Sequence, residues 1–309
     1  MTTETKVTLD KVAELDGGGA RLAVRGALVA AATDDAVTLW RDHQRVAAPE
    51  PPAAIDRLRF RDDGELLAAP YALELPAASW AALPDLQPAL LHGLAGPSRG
   101  ELSVRCSDWS ADGSELLVYV EHRAARGIGT SDGAGPQARL LWMDRARQVV
   151  AVPWTGRNFA LTSVALGARF AVAGGKQLLV WDRHTRAQVA TLDAHSLIVR
   201  DLAFTSDERL LASVGNDHKL VLTDTISWKT TASWDAHDGD ARGVAFHPSL
   251  PLVATTGQDQ QLRVWSLTGK RLAEVKLAGI GNAVAFSADG KQLLAATDAH
   301  VTIFNLKSE

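Results

Sequence analysis

Side chains that could support nucleophilic catalysis lie near the C-terminal end of the chain. His237, Thr255 and Asp259 fall within 23 positions of one another. A hydroxyl that is activated by a histidine base, with a carboxylate to orient the imidazole, is the arrangement of a hydrolytic triad. The first hypothesis for this stretch is therefore a catalytic site.

The same three kinds of side chain occur a second time, 42 positions earlier in the chain. His195, Ser213 and Asp217 repeat the spacings of 18 and 4 residues. A catalytic triad has no reason to be built twice, whereas buried polar groups in any repeated unit need hydrogen-bond partners. The duplication favours a structural network over a catalytic site.

Both triplets belong to a longer internal repeat. Residues 194–224 and 236–266 align without a gap. Within each, short runs of alternating apolar and polar residues are broken by turn residues, which is typical of short antiparallel strands. Weaker copies of the unit centre on Trp40, Trp142, Trp181 and Phe304, and residues 58–75 supply one more. The chain is therefore predicted to contain seven units.

Three of these motifs, "GQDQQLRVWS", "AVAGGKQLLVWD" and "AFSADGKQLLAATD", resemble the WD40 repeat, whose blades form β-propellers. The resemblance implies an all-β fold, a single seven-bladed β-propeller domain over residues 1–309 with four-stranded antiparallel blades. The last unit is one strand short, and residues 5–10 are strand-like. We expect this N-terminal strand to complete the last blade and close the ring, which would also remove exposed sheet edges.

The resemblance also implies a role for the first triplet. WD40 blades contain a structural network that carries over to His237, Thr255, Asp259 and Trp265, in which the indole N–H reaches the hydroxyl. In the earlier copy the position of the indole is taken by Thr223. We therefore expect a shorter network around His195.

Three arginines occupy one equivalent position when the units are aligned on the aromatic residue of their first strand. Arg105, Arg200 and Arg242 each lie four positions before that aromatic. The resemblance places this position at the mouth of the propeller channel, on the face where partners commonly dock. Guanidinium groups suit carboxylate-rich or phosphorylated segments. The alternative is that each arginine pairs with a nearby acid such as Asp201, Asp240 or Asp108.

Two further features are candidates for partner contact. Trp228 is expected in a connection between the third and fourth strands, on the face opposite the arginines, either as an exposed binding residue or packed over a blade. An insertion at residues 122–138, rich in glycine, alanine and small polar residues, is predicted to be a flexible loop or a segment that orders on binding.

Composition narrows the classes of function. The chain has 32 basic and 36 acidic residues and a formal net charge of -4, so no basic excess favours nucleic acid or an anionic membrane. The histidines are dispersed, and a single cysteine, Cys106, allows neither a Cys-x-x-Cys metal motif nor an internal disulfide. We expect no metal, no cofactor and a cytoplasmic location. The usage of alanine and arginine over lysine suggests a bacterial source.

The sequence thus predicts a non-enzymatic scaffold for protein–protein interaction, or a subunit of a multiprotein complex, that binds partner proteins through the channel-mouth face. Recognition of acidic or phosphorylated peptides by the arginine cluster is the alternative. An enzyme of propeller fold would need nonrepeating ionisable groups that converge in the channel, and the sequence offers repeated positions instead.

Overall fold

A computed structural model describes most of the strand-forming parts of the chain. These residues form strands and turns, and no helix occurs among them. In this part of the chain there is accordingly no helix with the length and apolar character needed to span a bilayer. The described residues are 6–33, 36–46, 57–60, 66–69, 71–73, 80–81, 101–123, 138–144, 149–156 and 160–308.

The described strands pair into seven antiparallel sheets of four strands each. Three sheets come from the N-terminal half of the chain. The first contains β2 (Arg21–Arg25), β3 (Leu28–Ala32), β4 (Val37–Arg41) and β5 (Gln44–Val46). The second contains β6 (Arg57–Phe60), β7 (Leu66–Ala69), β8 (Tyr71–Leu73) and β9 (Trp80–Ala81). The third contains β10 (Glu101–Trp109), β11 (Glu115–Arg123), β12 (Ala138–Asp144) and β13 (Val149–Gly156).

The repeat recognised in the sequence forms the sheets of the C-terminal half, each built from consecutive strands. The fourth contains β14 (Leu161–Leu166), β15 (Phe170–Gly175), β16 (Leu178–Asp182) and β17 (Gln188–Leu192). The fifth contains β18 (Val199–Phe204), β19 (Leu210–Gly215), β20 (Lys219–Asp224) and β21 (Lys229–Asp235). The sixth contains β22 (Ala241–Phe246), β23 (Leu252–Gly257), β24 (Gln261–Ser266) and β25 (Arg271–Lys276).

The last sheet combines both ends of the described chain. Its strands are β26 (Ala283–Phe286), β27 (Gln292–Ala296), β28 (His300–Ser308) and β1 (Val7–Asp16). β1 pairs with β28 from Val7 opposite Ser308 to Asp16 opposite His300. The strand predicted at residues 5–10 therefore does join the last sheet, and the pairing extends six residues beyond the predicted end.

The core lies between neighbouring sheets. β23 is buried along its whole length, whereas the outer strand β25 alternates between exposed and half-buried residues. Fully buried Trp142 of the third sheet and Trp181 of the fourth belong to one apolar cluster. Two-sided burial of the middle strands explains why their sequences are nearly continuous apolar runs.

The innermost strands of successive sheets contact one another along the series β2, β6, β10, β14, β18, β22 and β26, and β26 also contacts β2. Six of the sheets consist of strands whose side chains are described, and the sheet of β6 to β9 is described by its backbone pairing. The all-β prediction is confirmed, and the arrangement is consistent with a propeller. The insertion predicted at residues 122–138 connects β11 to β12, and its residues 124–137 lie outside the described ranges.

Candidate functional site

The triplet around His237 forms one continuous chain of hydrogen bonds in the sixth sheet. Trp265 Nε1 donates to Thr255 Oγ1 at 3.0 Å. The Thr255 hydroxyl bonds His237 Nε2 at 2.9 Å, and His237 Nδ1 bonds Asp259 Oδ1 at 2.8 Å. The second carboxylate oxygen of Asp259 accepts the backbone N–H of Asp238 at 3.1 Å. Every polar atom of the predicted network thus has a partner within one sheet.

The triplet around His195 forms a shorter version of this chain in the fifth sheet. His195 Nε2 lies 2.8 Å from Ser213 Oγ, and His195 Nδ1 lies 2.9 Å from Asp217 Oδ1. The hydroxyl of Thr223, which stands where the indole of the other copy stands, is buried without a hydrogen-bond partner. The chain of hydrogen bonds around His195 therefore ends at Ser213, which confirms the shorter network expected from the sequence.

Neither histidine can meet a substrate in this conformation. The side chains of His195 and His237 have 0% exposed surface, and the paired carboxylates of Asp217 and Asp259 are 4% and 8% exposed. A general base must come within hydrogen-bond reach of the group that it deprotonates. These geometries favour a structural role. In each of the two sheets, the network holds the turn after the second strand to the segment that precedes the first strand.

Sequence reasoning missed a buried cation in the sixth sheet. Arg263 is 7% exposed in its side chain, and its Nη1 atom lies 2.9 Å from Asp259 Oδ2 and 2.6 Å from the carbonyl oxygen of Ala236. Its Nη2 atom lies 3.0 Å from Glu274 Oε1. The equivalent residue of the fifth sheet is Val221. The signal in the sequence was a basic residue in the third strand, two positions before Trp265.

The surroundings set the ionisation of this network. Burial lowers the pKa of His237, and the charge of Arg263 acts in the same direction, while Asp259 opposes both. Burial by itself would raise the pKa of Asp259, but hydrogen bonds from Asp238 and His237 and the charge of Arg263 outweigh it, so the pKa lies below its usual value. The network is therefore built around a neutral imidazole and a carboxylate.

We expect Thr255→Val to lower the free energy of unfolding by about 1 to 3 kcal/mol, because it removes the hydroxyl that bonds the indole of Trp265 and Nε2 of His237. His237→Ala should cost a similar amount. Chemical denaturation of the purified chain measures both losses. Ser266→Ala is a suitable control because its hydroxyl bonds the Thr268 hydroxyl and accepts the backbone N–H of Lys270 at the surface, outside the buried network. Unchanged stability in both network variants would contradict the structural role.

The lowered pKa of His237 predicts that acid destabilises the fold. Below a pH of about 6.5 the unfolded chain takes up a proton on this histidine before the folded chain does. The free energy of unfolding should therefore be flat above that pH and decrease as the pH falls below it. Denaturation curves from pH 8 to pH 5 measure the slope. His237→Asn should make the slope shallower, and an identical slope in the variant would rule out His237 as its source.

The three predicted arginines are placed by an irregularity that four innermost strands share. In β10, β14, β18 and β22 the pairing register shifts around one extra residue, a β-bulge. A bulge redirects the side chain of the extra residue out of the regular ladder. The residues at these bulges are Arg105, Thr162, Arg200 and Arg242.

These side chains meet at one cavity of about 400 Å³. Arg105, Arg200 and Arg242 all line it, so the structure brings together three residues that are up to 137 positions apart in the chain. Asn282, which takes the equivalent position in the last sheet, also lines it. Arg21, the first residue of β2, adds a fourth guanidinium that the sequence alignment did not identify, because its unit has no aromatic residue to align.

The predicted arginines are held by carboxylate and amide oxygens of other side chains. Arg105 Nε lies 3.2 Å from Glu121 Oε2. Arg200 Nε donates to Asn216 Oδ1 at 2.6 Å, and its Nη2 atom lies 3.6 Å from Asp240 Oδ2. The alternative of pairing with local acids is thus found for Arg200 with Asp240, and Arg105 pairs with another acid, Glu121.

Asp201 and Asp108, the other two acids that the sequence offered as arginine partners, connect neighbouring sheets. Asp201 Oδ2 accepts the backbone N–H of Val244 at 3.0 Å, and Asp108 Oδ2 accepts that of Leu166 at 2.9 Å. Arg242 Nη1 donates to the amide oxygen of Asn282 at 2.9 Å. These acids therefore serve the packing of innermost strands.

A second cavity, of about 720 Å³, lies toward the other ends of the same strands. Phe204, Phe246 and Phe286 line it. Both cavities are lined by one shared layer of apolar side chains, Leu22, Val244 and Val284. The arginine cavity therefore has an apolar floor and a cationic wall.

Trp228 is not a free surface side chain. It is half-buried and packs edge-to-face on Phe170 of the neighbouring fourth sheet, with 4.9 Å between ring centroids. This contact favours packing over partner binding, and the apolar cluster against which Trp228 packs contains residues of both the fourth and the fifth sheets. The exposed apolar residue of this turn is Ile226, at 77%.

Cys106 is buried and belongs to the apolar cluster of the third and fourth sheets. In the described ranges, no group of three or more histidine, cysteine, aspartate or glutamate side chains is placed to hold a metal ion.

Comparison with known proteins matches two segments of the chain. Residues 186–224 and 228–266 match the WD40 family model, described as WD domain, G-beta repeat. Each segment contains one of the two histidine networks. A search of curated proteins finds no match.

Proposed function

Because the chain carries WD40 repeats, we propose that it is a single seven-bladed propeller with a closed ring, and that it serves as a non-enzymatic scaffold or a subunit of a multiprotein complex. WD40 repeats generally mediate protein–protein interaction or scaffolding. Seven four-stranded sheets, the contact between β26 and β2, and the pairing of β1 with β28 support the closed ring.

One observation carries the proposal that partners bind at the channel mouth. Three separate sheets use a β-bulge to direct an arginine toward the same cavity. A bulge interrupts the ladder of hydrogen bonds, and such irregularities concentrate next to functional sites. Packing alone offers no reason to repeat this arrangement with a charged side chain that remains accessible.

The proposal of a non-enzymatic role rests on the histidine networks. The side chains that could have formed a triad occur in two copies and are buried. The functional groups at the accessible cavity are mainly guanidinium groups, which bind anions and remain protonated at physiological pH.

Affinity purification of the tagged full-length chain from its source organism tests this function. We expect other proteins to co-elute in a fixed ratio to the chain and to remain bound during size-exclusion chromatography. A chain that elutes without protein partners, or that turns over a small molecule on its own, would contradict the scaffold proposal.

Recognition of an acidic or phosphorylated peptide is the second candidate. The amide oxygen of Asn282 favours it, because it fixes Arg242 without neutralising its charge. Binding of matched aspartate-, glutamate- and phosphoserine-containing peptides tests this candidate. Equal affinity for a neutral serine peptide would exclude it.

A further inference from the structure

A groove on the side of the molecule lies between the outer strands of the sixth and last sheets. Its volume is about 400 Å³, within the range of small-molecule sites. The sixth sheet contributes Val275 of β25, and Leu277 follows that strand. The last sheet contributes Leu9 of β1 and Phe304 of β28. The groove therefore has an apolar interior, and β1 forms part of its wall.

A β-bulge in β1 places two opposite charges on the face that lines this groove. In a regular strand, residues three positions apart point to opposite faces. Lys11 lies opposite Phe304 on β28. Glu14 lies opposite Thr302, two residues from Phe304 and therefore on the same face. Val12 is the extra residue that makes this arrangement possible. Bulges are frequent next to functional sites, where they redirect side chains.

The two charges are paired with each other and remain accessible. Lys11 Nζ lies 2.6 Å from Glu14 Oε2, and the two side chains are 54% and 33% exposed. An exposed ion pair of this kind contributes little to stability, so a ligand can separate its members at small cost. Lys276 also lines the groove, but it lies opposite Gln261, so its side chain leaves β25 on the face away from Val275. The groove thus offers one cation and one anion beside an apolar interior.

We propose that this groove binds a free apolar α-amino acid such as leucine. The carboxylate of the ligand pairs with Lys11 and its ammonium group pairs with Glu14. Its side chain contacts Leu9 and Val275. Charge complementarity favours this class of ligand, because a zwitterion offers each member of the ion pair an opposite charge. An ion with a single charge would leave the other member unmatched. The inference goes beyond the scaffold function and concerns a different surface from the arginine cavity.

Binding at this groove is coupled to the pairing of β1 with β28. β1 and β25 belong to different sheets, and a ligand in the groove touches residues of both. The site is complete only while β1 lies beside β28, so the ligand binds this paired arrangement alone. By mass action, the amino acid therefore stabilises the pairing of the two strands.

Saturation-transfer NMR with leucine as the probe tests this site in the full chain. We expect saturable binding with a Kd of about 10 mM or lower, which ligands of this size reach at the low end of binding efficiency. The reference probes are glycine without the apolar side chain, N-acetyl-leucine without the ammonium group, leucine amide without the carboxylate, and N-acetyl-leucine amide without either charge. Each should bind at least about 10-fold more weakly than leucine. Hydrogen exchange of the β1 amides should slow when leucine is added.

Variants assign the two charges to the two ends of the ligand. Lys11→Gln should weaken leucine binding at least about 10-fold and abolish the preference for leucine over leucine amide. Glu14→Gln should weaken binding equally and abolish the preference over N-acetyl-leucine. A purely structural role of these side chains would not change the two preferences selectively. The matched control is Lys219→Gln, which breaks an exposed ion pair with Asp235 of another outer strand. The Tm without ligand verifies that each variant folds.

Absence of saturable leucine binding by the unaltered chain at about ten times the expected Kd would overturn the proposal, as would equal weakening by the control. Binding of N-acetyl-leucine amide as tight as that of leucine would also overturn it, and would show that the groove takes an apolar side chain of a protein segment regardless of charge. None of these results would bear on the scaffold function, which is judged by co-elution of protein partners.

Discussion

A chain in which Arg200 and Arg242 are both replaced by glutamate should lose its protein partners and keep its fold. Each substitution reverses a charge at the cavity, so an anionic group on the partner is repelled where it was attracted. Arginines at interfaces are frequent sites of high binding energy. We expect affinity to fall by at least about 100-fold, measured by co-elution and by titration with the purified partner.

The stability of this double variant should be nearly unchanged, because the substitutions remove hydrogen bonds to Asn216 and Asn282 and one partly exposed ion pair, that of Arg200 with Asp240. Such bonds contribute about 0.5 to 1.5 kcal/mol each. The Tm should therefore stay within about 4 °C of the unaltered chain. A matched control reverses two exposed arginines elsewhere, Arg45 and Arg209. Retained partner binding in the first variant, or equal loss in the control, would show that the arginine face is not the docking site.

The second large effect concerns the two histidine networks. Asp259→Ala should lower the free energy of unfolding by about 3 to 5 kcal/mol, because it removes one member of a buried ion pair with Arg263. Asp217→Ala, the same change in the fifth sheet, should cost about 1 to 3 kcal/mol, because Val221 stands there in place of the buried arginine. Urea denaturation of the two variants measures the difference.

A further substitution isolates the source of this difference. Arg263→Val gives the sixth sheet the residue that the fifth sheet has at this position. In that background, Asp259→Ala should cost no more than Asp217→Ala does. Equal losses for the two aspartate variants in the original background would mean that Arg263 is compensated by Glu274 and does not depend on Asp259.

The repeated parts of this structure could be predicted from the sequence. An exact offset of 42 residues located the strands and both histidine networks, because each repeat folds with its own local hydrogen bonds. The same alignment brought Arg105, Arg200 and Arg242 to one position. Equivalent positions on different sheets of a propeller face the same axis, so their meeting at one cavity followed from the pattern.

The contacts between variable side chains could not be predicted from the sequence. Phe170, which covers Trp228, lies 58 positions earlier on another sheet, and no periodicity connects the two. Glu121 and Asn216 both lie 16 positions after the arginine that they hold, but one is a carboxylate and the other an amide, so the repeat does not predict the kind of partner. Arg21 was missed since its unit lacks both the aromatic residue and the bulge. Each of these depends on how one variable side chain meets another.

Because β1 pairs with β28, the last sheet cannot form until β28 has been synthesised. β28 begins 284 positions after β1 ends, and at about 5 to 20 residues per second β1 waits roughly 15 to 60 s during translation until β28 is made. During that interval the apolar residues Val7, Leu9 and Leu15 have no partner strand. A nascent chain of this protein therefore presents a short apolar segment to the ribosome surface and to chaperones until β28 emerges.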